Sequence, residues 1–248
     1  MSDPLLEIAG LTSGYDGAAV VRGVDIRVSA GEIVALLGPN GAGKTTILRT
    51  ISGIVRPMAG SVWVLGEDIS RMAPNRIARR GVSHVAEGRT VFFSMTVSEH
   101  FRLGGRGERM DSEHAYEYFP ALRELRDRRV GLLSGGEQQM LALAVALARR
   151  PKLLLVDELS LGLAPIIVRR MLPVLRRYAS DTGAGVLLVE QHVELALDTA
   201  DTAVALSHGD VVFKGAAADL RHDRRLLLAS YLGEATQKLP TVPVAERR

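Results

Sequence analysis

Nine residues, Gly38 to Thr46, read GPNGAGKTT and constrain this chain more than any other stretch. Gly38, Gly41, Gly43, Lys44 and Thr45 match the spacing G-x-x-x-x-G-K-[ST], with Asn40, Ala42 and Thr46 completing the run. The apolar run EIVALL, Glu32 to Leu37, precedes it as a buried strand, and Thr46 to Ile51 follows as a helix. Strand, glycine turn and helix in that order make a phosphate loop. Glycines let the backbone curl so that successive N–H groups converge, and the helix start adds the positive end of its dipole. Lys44 is placed to reach the terminal phosphates, and Thr45 to offer its hydroxyl to Mg²⁺. The loop alone leaves open which class of nucleotide hydrolase carries it.

The surrounding chain reads as α/β. Leu153 to Val156 and Val186 to Val189 are apolar at every position, like Ile33 to Leu37. Continuous apolar strands are buried on both faces, as in a parallel sheet covered by helices. Leu5 to Leu11 and Val24 to Val28 alternate apolar with polar and read as half-exposed strands, and Ser61 to Leu65 as another strand, with a turn at Gly14 to Gly17 and a break at Arg56-Pro57. Val82 to Val85 returns as a strand after a short helix ending near Arg80, and His208-Gly209-Asp210 joins two late strands as a hairpin. Thr96 and Glu99 fit a capping box, and from there to about Arg150 the pattern is mostly helical, an insertion spanning about residues 90–150. The expected division is one domain over 1–233 and a loose tail over 234–248.

Composition narrows the class by exclusion. With 248 residues there is ample chain for a large core. Zero cysteines exclude disulfides and thiolate metal sites. A net charge of +3 gives no case for nucleic acid. There is no secretory leader pattern and no apolar run long enough to span a bilayer, so a membrane role has to come through a partner. The basic stretches Arg71 to Arg80 and Arg123 to Arg129 mix with apolar residues and read as solvated helix faces.

Two further stretches complete a constellation. LSGGEQQ, Leu133 to Gln139, opens a helix at Ser134 and presents a second N-terminal anion site. LLLVDE ends in Asp157 and Glu158, two carboxylates at the C-terminal end of a buried strand, where such sheets bind ligands. GPNGAGKTT, LSGGEQQ and LLLVDE in this order resemble the nucleotide-binding domain of ABC-type ATPases. EGRTVF, MTVSEH, SLGLAPIIV, VEQH and YLG, between Glu87 and Gly233, are similar to one ATPase subunit of the high-affinity branched-chain amino-acid importers.

The resemblance implies a phosphate-loop ATPase core with a parallel central sheet, an antiparallel β subdomain and an inserted helical subdomain. It implies ATP and Mg²⁺ as cofactors, with Tyr15 stacking on adenine. Thr45, Glu87 and Asp157 would serve the metal, Glu158 would be the general base, and Gln191 would stand at the position of the usual switch histidine, with His192 beside it as rival. Ser134, Gly135, Gly136 and Gln138 would act on the ATP of a second ATPase subunit paired head to tail. Two transmembrane permease subunits and, indirectly, an external solute-binding protein complete the implied partners, with no nucleic acid among them. That places the chain at the cytoplasmic face of the membrane, powering uptake of branched-chain or other hydrophobic amino acids. An amide or urea importer is the alternative within the branch. A nucleic-acid-linked ABC ATPase would carry long insertions or tandem domains, and an inert ATP-binding module would tend to lack Glu158. Leu159 and Ala164 depart from the family's usual proline and aspartate.

Overall fold

A computed structural model describes residues 3–88, 90–104, 110–190 and 192–222. The expected tail, the YLG stretch and Gln191 lie outside them.

The chain opens with β1 (Leu6–Tyr15) and β2 (Ala18–Val28), paired antiparallel, followed by β3 (Ile33–Leu37) and α1 (Lys44–Ile51). Next come β4 (Pro57–Val64), β5 (Glu67–Asp68), α2 (Pro74–Arg79) and β6 (Val82–Val85). The order β2-β1-β4-β5 makes the antiparallel sheet. Both early strands run longer than their alternating cores predict, because β-bulges between Ile8 and Gly14 absorb the irregular stretch around Gly10. Tyr15 is therefore the last residue of β1 and only Asp16-Gly17 turns. Pro57 opens β4, a position that needs no ladder donor, so the expected break is a strand start.

The insertion contains α3 (Val97–His100), α4 (Ser112–Tyr118), α5 (Ala121–Glu124), a 3₁₀ turn (Val130–Leu132) and α6 (Gly135–Leu147). Only α6 is long. The others stop after one or two turns, so the region is mostly helical, as its sequence suggests, but in short pieces. After it follow β7 (Leu153–Asp157), α7 (Pro165–Thr182), β8 (Gly185–Val189), α8 (Val193–Thr199), β9 (Thr202–Ser207), β10 (Asp210–Ala216) and α9 (Ala217–His222).

The main sheet runs β10-β9-β3-β8-β7-β6, parallel except for the β9–β10 hairpin. Its continuous apolar strands feed two cores at once. Leu153 and Leu155 pack with Ile8, Ile26 and Ile47 under the antiparallel sheet, while Leu154 and Val156 pack with Leu141, Leu172 and Tyr178 of the helical side. Alternation of side chains across a strand buried on both faces produces this split. The loops after β3, β6, β7 and β8 all emerge at the same sheet edge, so residues far apart in sequence meet there. Arg80, Arg123 and Arg126 of the basic stretches pair with Glu67, Glu113 and Asp127. Among the described residues no helix is long and apolar enough to cross a membrane.

Candidate active site

The turn between β3 and α1 is built around its glycines. Gly43 has φ 103° and a Cβ there would lie 2.2 Å from a Val21 methyl. Gly38 has φ 149°, and its Cβ would lie 2.4 Å from the Leu206 carbonyl oxygen. A side chain at Gly38 would force backbone to move, and one at Gly43 would displace the Val21 side chain, in a backbone conformation that already favours glycine. The turn delivers Lys44 as the first residue of α1, 4% exposed, with Nζ donating to the carbonyls of Gly38 at 2.9 Å and Pro39 at 3.1 Å. Burial lowers the Lys44 pKa, while Glu158, Asp157 and Glu87 pull it back up.

Across from this turn, β7 ends in Asp157, with Glu158 following. Lys44 Nζ lies 3.9 Å from Glu158 Oε1, and both side chains are buried. Glu158 takes φ 48°, a left-handed conformation that is costly for a residue with a Cβ, and its N–H donates to the Val189 carbonyl at 2.9 Å. Asp157 Oδ1 accepts from the Thr45 hydroxyl at 3.4 Å. Its Oδ2 is buried without a hydrogen-bond partner. Burial pushes the Asp157 carboxyl up to about 6; the Thr45 hydroxyl opposes the shift, and the charges of Glu158 and Glu87 add to it.

These groups surround one cavity of about 360 Å³. Asn40, Gly41, Gly43, Lys44, Thr45 and Thr46 form one wall, with Glu87, Glu158, Val20 and Leu161 around them. Val20 carries no motif signal, and Leu161 falls in the SLGLAPIIV stretch without a site role read for it, so sequence reasoning missed both as lining residues. Ala42 is buried beneath the loop. Among the described residues no group of three or more His, Asp or Glu side chains is arranged to hold a metal. The donor set is a hydroxyl, an orphaned buried carboxylate oxygen and a neighbouring glutamate, oxygen chemistry that suits Mg²⁺ with retained water.

Other sequence candidates stand apart. Tyr15 is half exposed outside the cavity lining, with its hydroxyl accepting from Arg49 at 3.3 Å. None of Ser134, Gly135, Gly136 and Gln138 lines the cavity. Ser134 caps α6, accepting from Glu137 N–H at 3.3 Å while Glu137 Oε2 accepts from Ser134 N–H at 2.6 Å. Gly136 packs under Ile167. Gln138 is buried and donates to the carbonyls of Val130 and Leu133 at 3.2 and 3.1 Å, which ties the preceding turn to α6. His192 is exposed at the start of α8.

A second, larger cavity of about 460 Å³ lies between α2, β6 and α6, bordered by Ile54, Ala86 and Thr90. His84 lines it and shares a 2.8 Å hydrogen bond with the Ser52 hydroxyl. Burial and the nearby Arg49 charge hold the His84 pKa down at about 4.

Comparison with known proteins converges with this geometry. The ABC transporter family matches residues 21–160. The high-affinity branched-chain amino acid transport ATP-binding protein BraG of Pseudomonas aeruginosa is 38% identical over 234 residues, covering 92% of this chain and all of that protein. The probable branched-chain amino acid transport ATP-binding protein LivF of Archaeoglobus fulgidus is 33% identical over 223 residues, 87% of this chain and 94% of its own. Among solved structures, the ADP conformation of the ATP-binding cassette MJ1267 superposes with a TM-score of 0.83 at 21% identity, over 94% of this chain and 100% of that one. Fold, phosphate loop and full-length similarity agree: the chain belongs to the ABC transporter family and is an ATP-binding, ATP-hydrolysing subunit of it.

Proposed function

We propose that this subunit powers import of branched-chain or related hydrophobic amino acids. The observation that carries the solute class is end-to-end similarity to BraG at 38% identity. In this reading two ATPase subunits sit beneath two permease subunits fed by an external binding protein. The cavity beside the Glu87 loop offers a permease segment a place to dock. Ser134, Gly135 and Gly136 then close over the ATP held by the opposite subunit, with Gln138 supporting them from below. Tyr15 flanks the adenine.

Within each site the loop N–H groups and Lys44 cradle the β- and γ-phosphates. Thr45, Asp157 and Glu87 would hold Mg²⁺, which neutralises phosphate charge. The orphaned Oδ2 of Asp157 favours that assignment. Glu158 accepts the proton of the attacking water, a role worth roughly 10²–10⁴ in rate. Gln191 orients that water through its amide, which both donates and accepts without titrating. Gln191→Ala should therefore cut ATP turnover sharply, and His192→Ala should leave it near wild type. The opposite pattern in a steady-state ATPase assay would move the role to His192.

The solute is tested in cells lacking this subunit. Wild-type chain should restore uptake of radiolabelled leucine, and Lys44→Ala should not, since the lysine is a point charge at the phosphates. Restored uptake of urea or a short amide without leucine would assign the chain to the neighbouring transporter class instead.

A further inference from the structure

Glu190 lies immediately after β8 and is fully buried. A buried carboxylate persists only where donors meet it. Here both oxygens meet the same residue: Ser160 N–H donates to Oε1 at 3.1 Å and the Ser160 hydroxyl to Oε2 at 2.5 Å. Ser160 is itself 4% exposed and sits two residues past Glu158. The same turn is tied a third time to the end of β8 through Glu158 N–H and the Val189 carbonyl. Between them Leu159 is buried in the helical-side core. Glu158 and Leu161, on either side of Ser160, both line the phosphate cavity.

The strain at Glu158 gives this arrangement its meaning. A left-handed glutamate relaxes unless the surrounding structure over-determines it. An apolar contact would hold the turn loosely in rotation. A carboxylate gripping both donors of one residue fixes its orientation. We propose that Glu190 is a positioning residue for hydrolysis: it clamps Ser160 and so holds the turn that aims the Glu158 carboxylate into the phosphate cavity. The inference rests on Glu158 being the base.

The test uses the purified full-length chain with Glu190→Ala, Glu190→Gln and Ser160→Ala, read by steady-state ATP hydrolysis and by affinity for a fluorescent ATP analogue. Ser160→Ala and Glu190→Ala should each lower kcat about ten- to a hundred-fold, the scale of a small misplacement of a reacting group. KM and analogue affinity should stay within about two-fold of wild type, because the loop contacts are untouched. Glu190→Gln keeps an acceptor oxygen for Ser160 and should recover most of kcat. The double variant should be no slower than Glu190→Ala alone, as members of one clamp are not additive. A lower Tm with unchanged kcat, or losses that multiply in the double variant, would overturn the clamp. If Glu190→Ala does not fold, Ser160→Ala decides by the same criteria. Glu158→Gln run alongside separates the two readings. A dead Glu158→Gln beside a normal Ser160→Ala overturns the clamp alone. A Glu158→Gln that turns over normally removes the base, and the clamp with it.

Discussion

Asp157 carries a buried carboxyl that is only partly satisfied. Its carboxyl is 1% exposed, one oxygen has no partner, and its pKa rises to about 6. The sign follows directly. With a folded pKa above the unfolded one, the native state binds more protons between roughly pH 4 and 6, so stability falls as pH rises through that window and the penalty persists above it. Asp157→Asn removes the penalty. Urea unfolding of the nucleotide-free chain should show a gain of up to about 3 kcal/mol at pH 7.5, shrinking as pH falls from 6 toward 4. A variant no more stable than wild type at pH 7.5 contradicts the account. His84 runs the other way. Its pKa is held near 4 by burial and Arg49, so its stability contribution is lost as pH falls from 6.5 toward 4. The difference between wild type and Asp157→Asn isolates the carboxyl, since His84 is common to both.

At the scale of elements, one motif serves two purposes. Thr96 opens α3 and Ser134 opens α6, each in a reciprocal capping box with a glutamate three residues on. Thr96→Ala should cost about 1 kcal/mol of stability in urea unfolding and leave ATP hydrolysis intact. Ser134→Ala should cost about the same stability and, in the proposed pairing where its hydroxyl would meet the partner's ATP, most of the turnover as well. Equal ATPase activity in the two variants would make Ser134 a cap and nothing more. The Thr96 box and the helix start at Ser134 were legible in the sequence, as were the phosphate loop, Asp157 at the end of an apolar strand, and β3, β7 and β8. Each is a local pattern within one element. What was not legible depends on register between elements. Val20 reaches the cavity because β2 runs on to Ala18 past the bulges of β1. Glu190 meets Ser160 because β7 and β8 are neighbours with Asp157 opposite Val189.

In the whole molecule, the ATP cavity is open on the side where its own α6 start does not reach. The loop and Glu158 line that cavity, and none of Ser134 to Gly136 does; they stand at the start of α6. In the proposed pairing, a second copy or a sister subunit placed head to tail would close each subunit's cavity. In that pairing ATP binding would draw the subunits together and hydrolysis would let them part, the motion a permease would need. Ala86 lines the larger cavity and Glu87 the phosphate cavity, so the loop after β6 borders both. The most direct measurement is the mass of Glu158→Gln chain in solution with ATP and Mg²⁺, by size-exclusion chromatography with light scattering. Removing the base while keeping the phosphate contacts should leave turnover at least about a hundred-fold below wild type and accumulate an ATP-loaded dimer that ADP does not support. A Glu158→Gln chain that hydrolyses ATP at the wild-type rate would contradict the account at its centre.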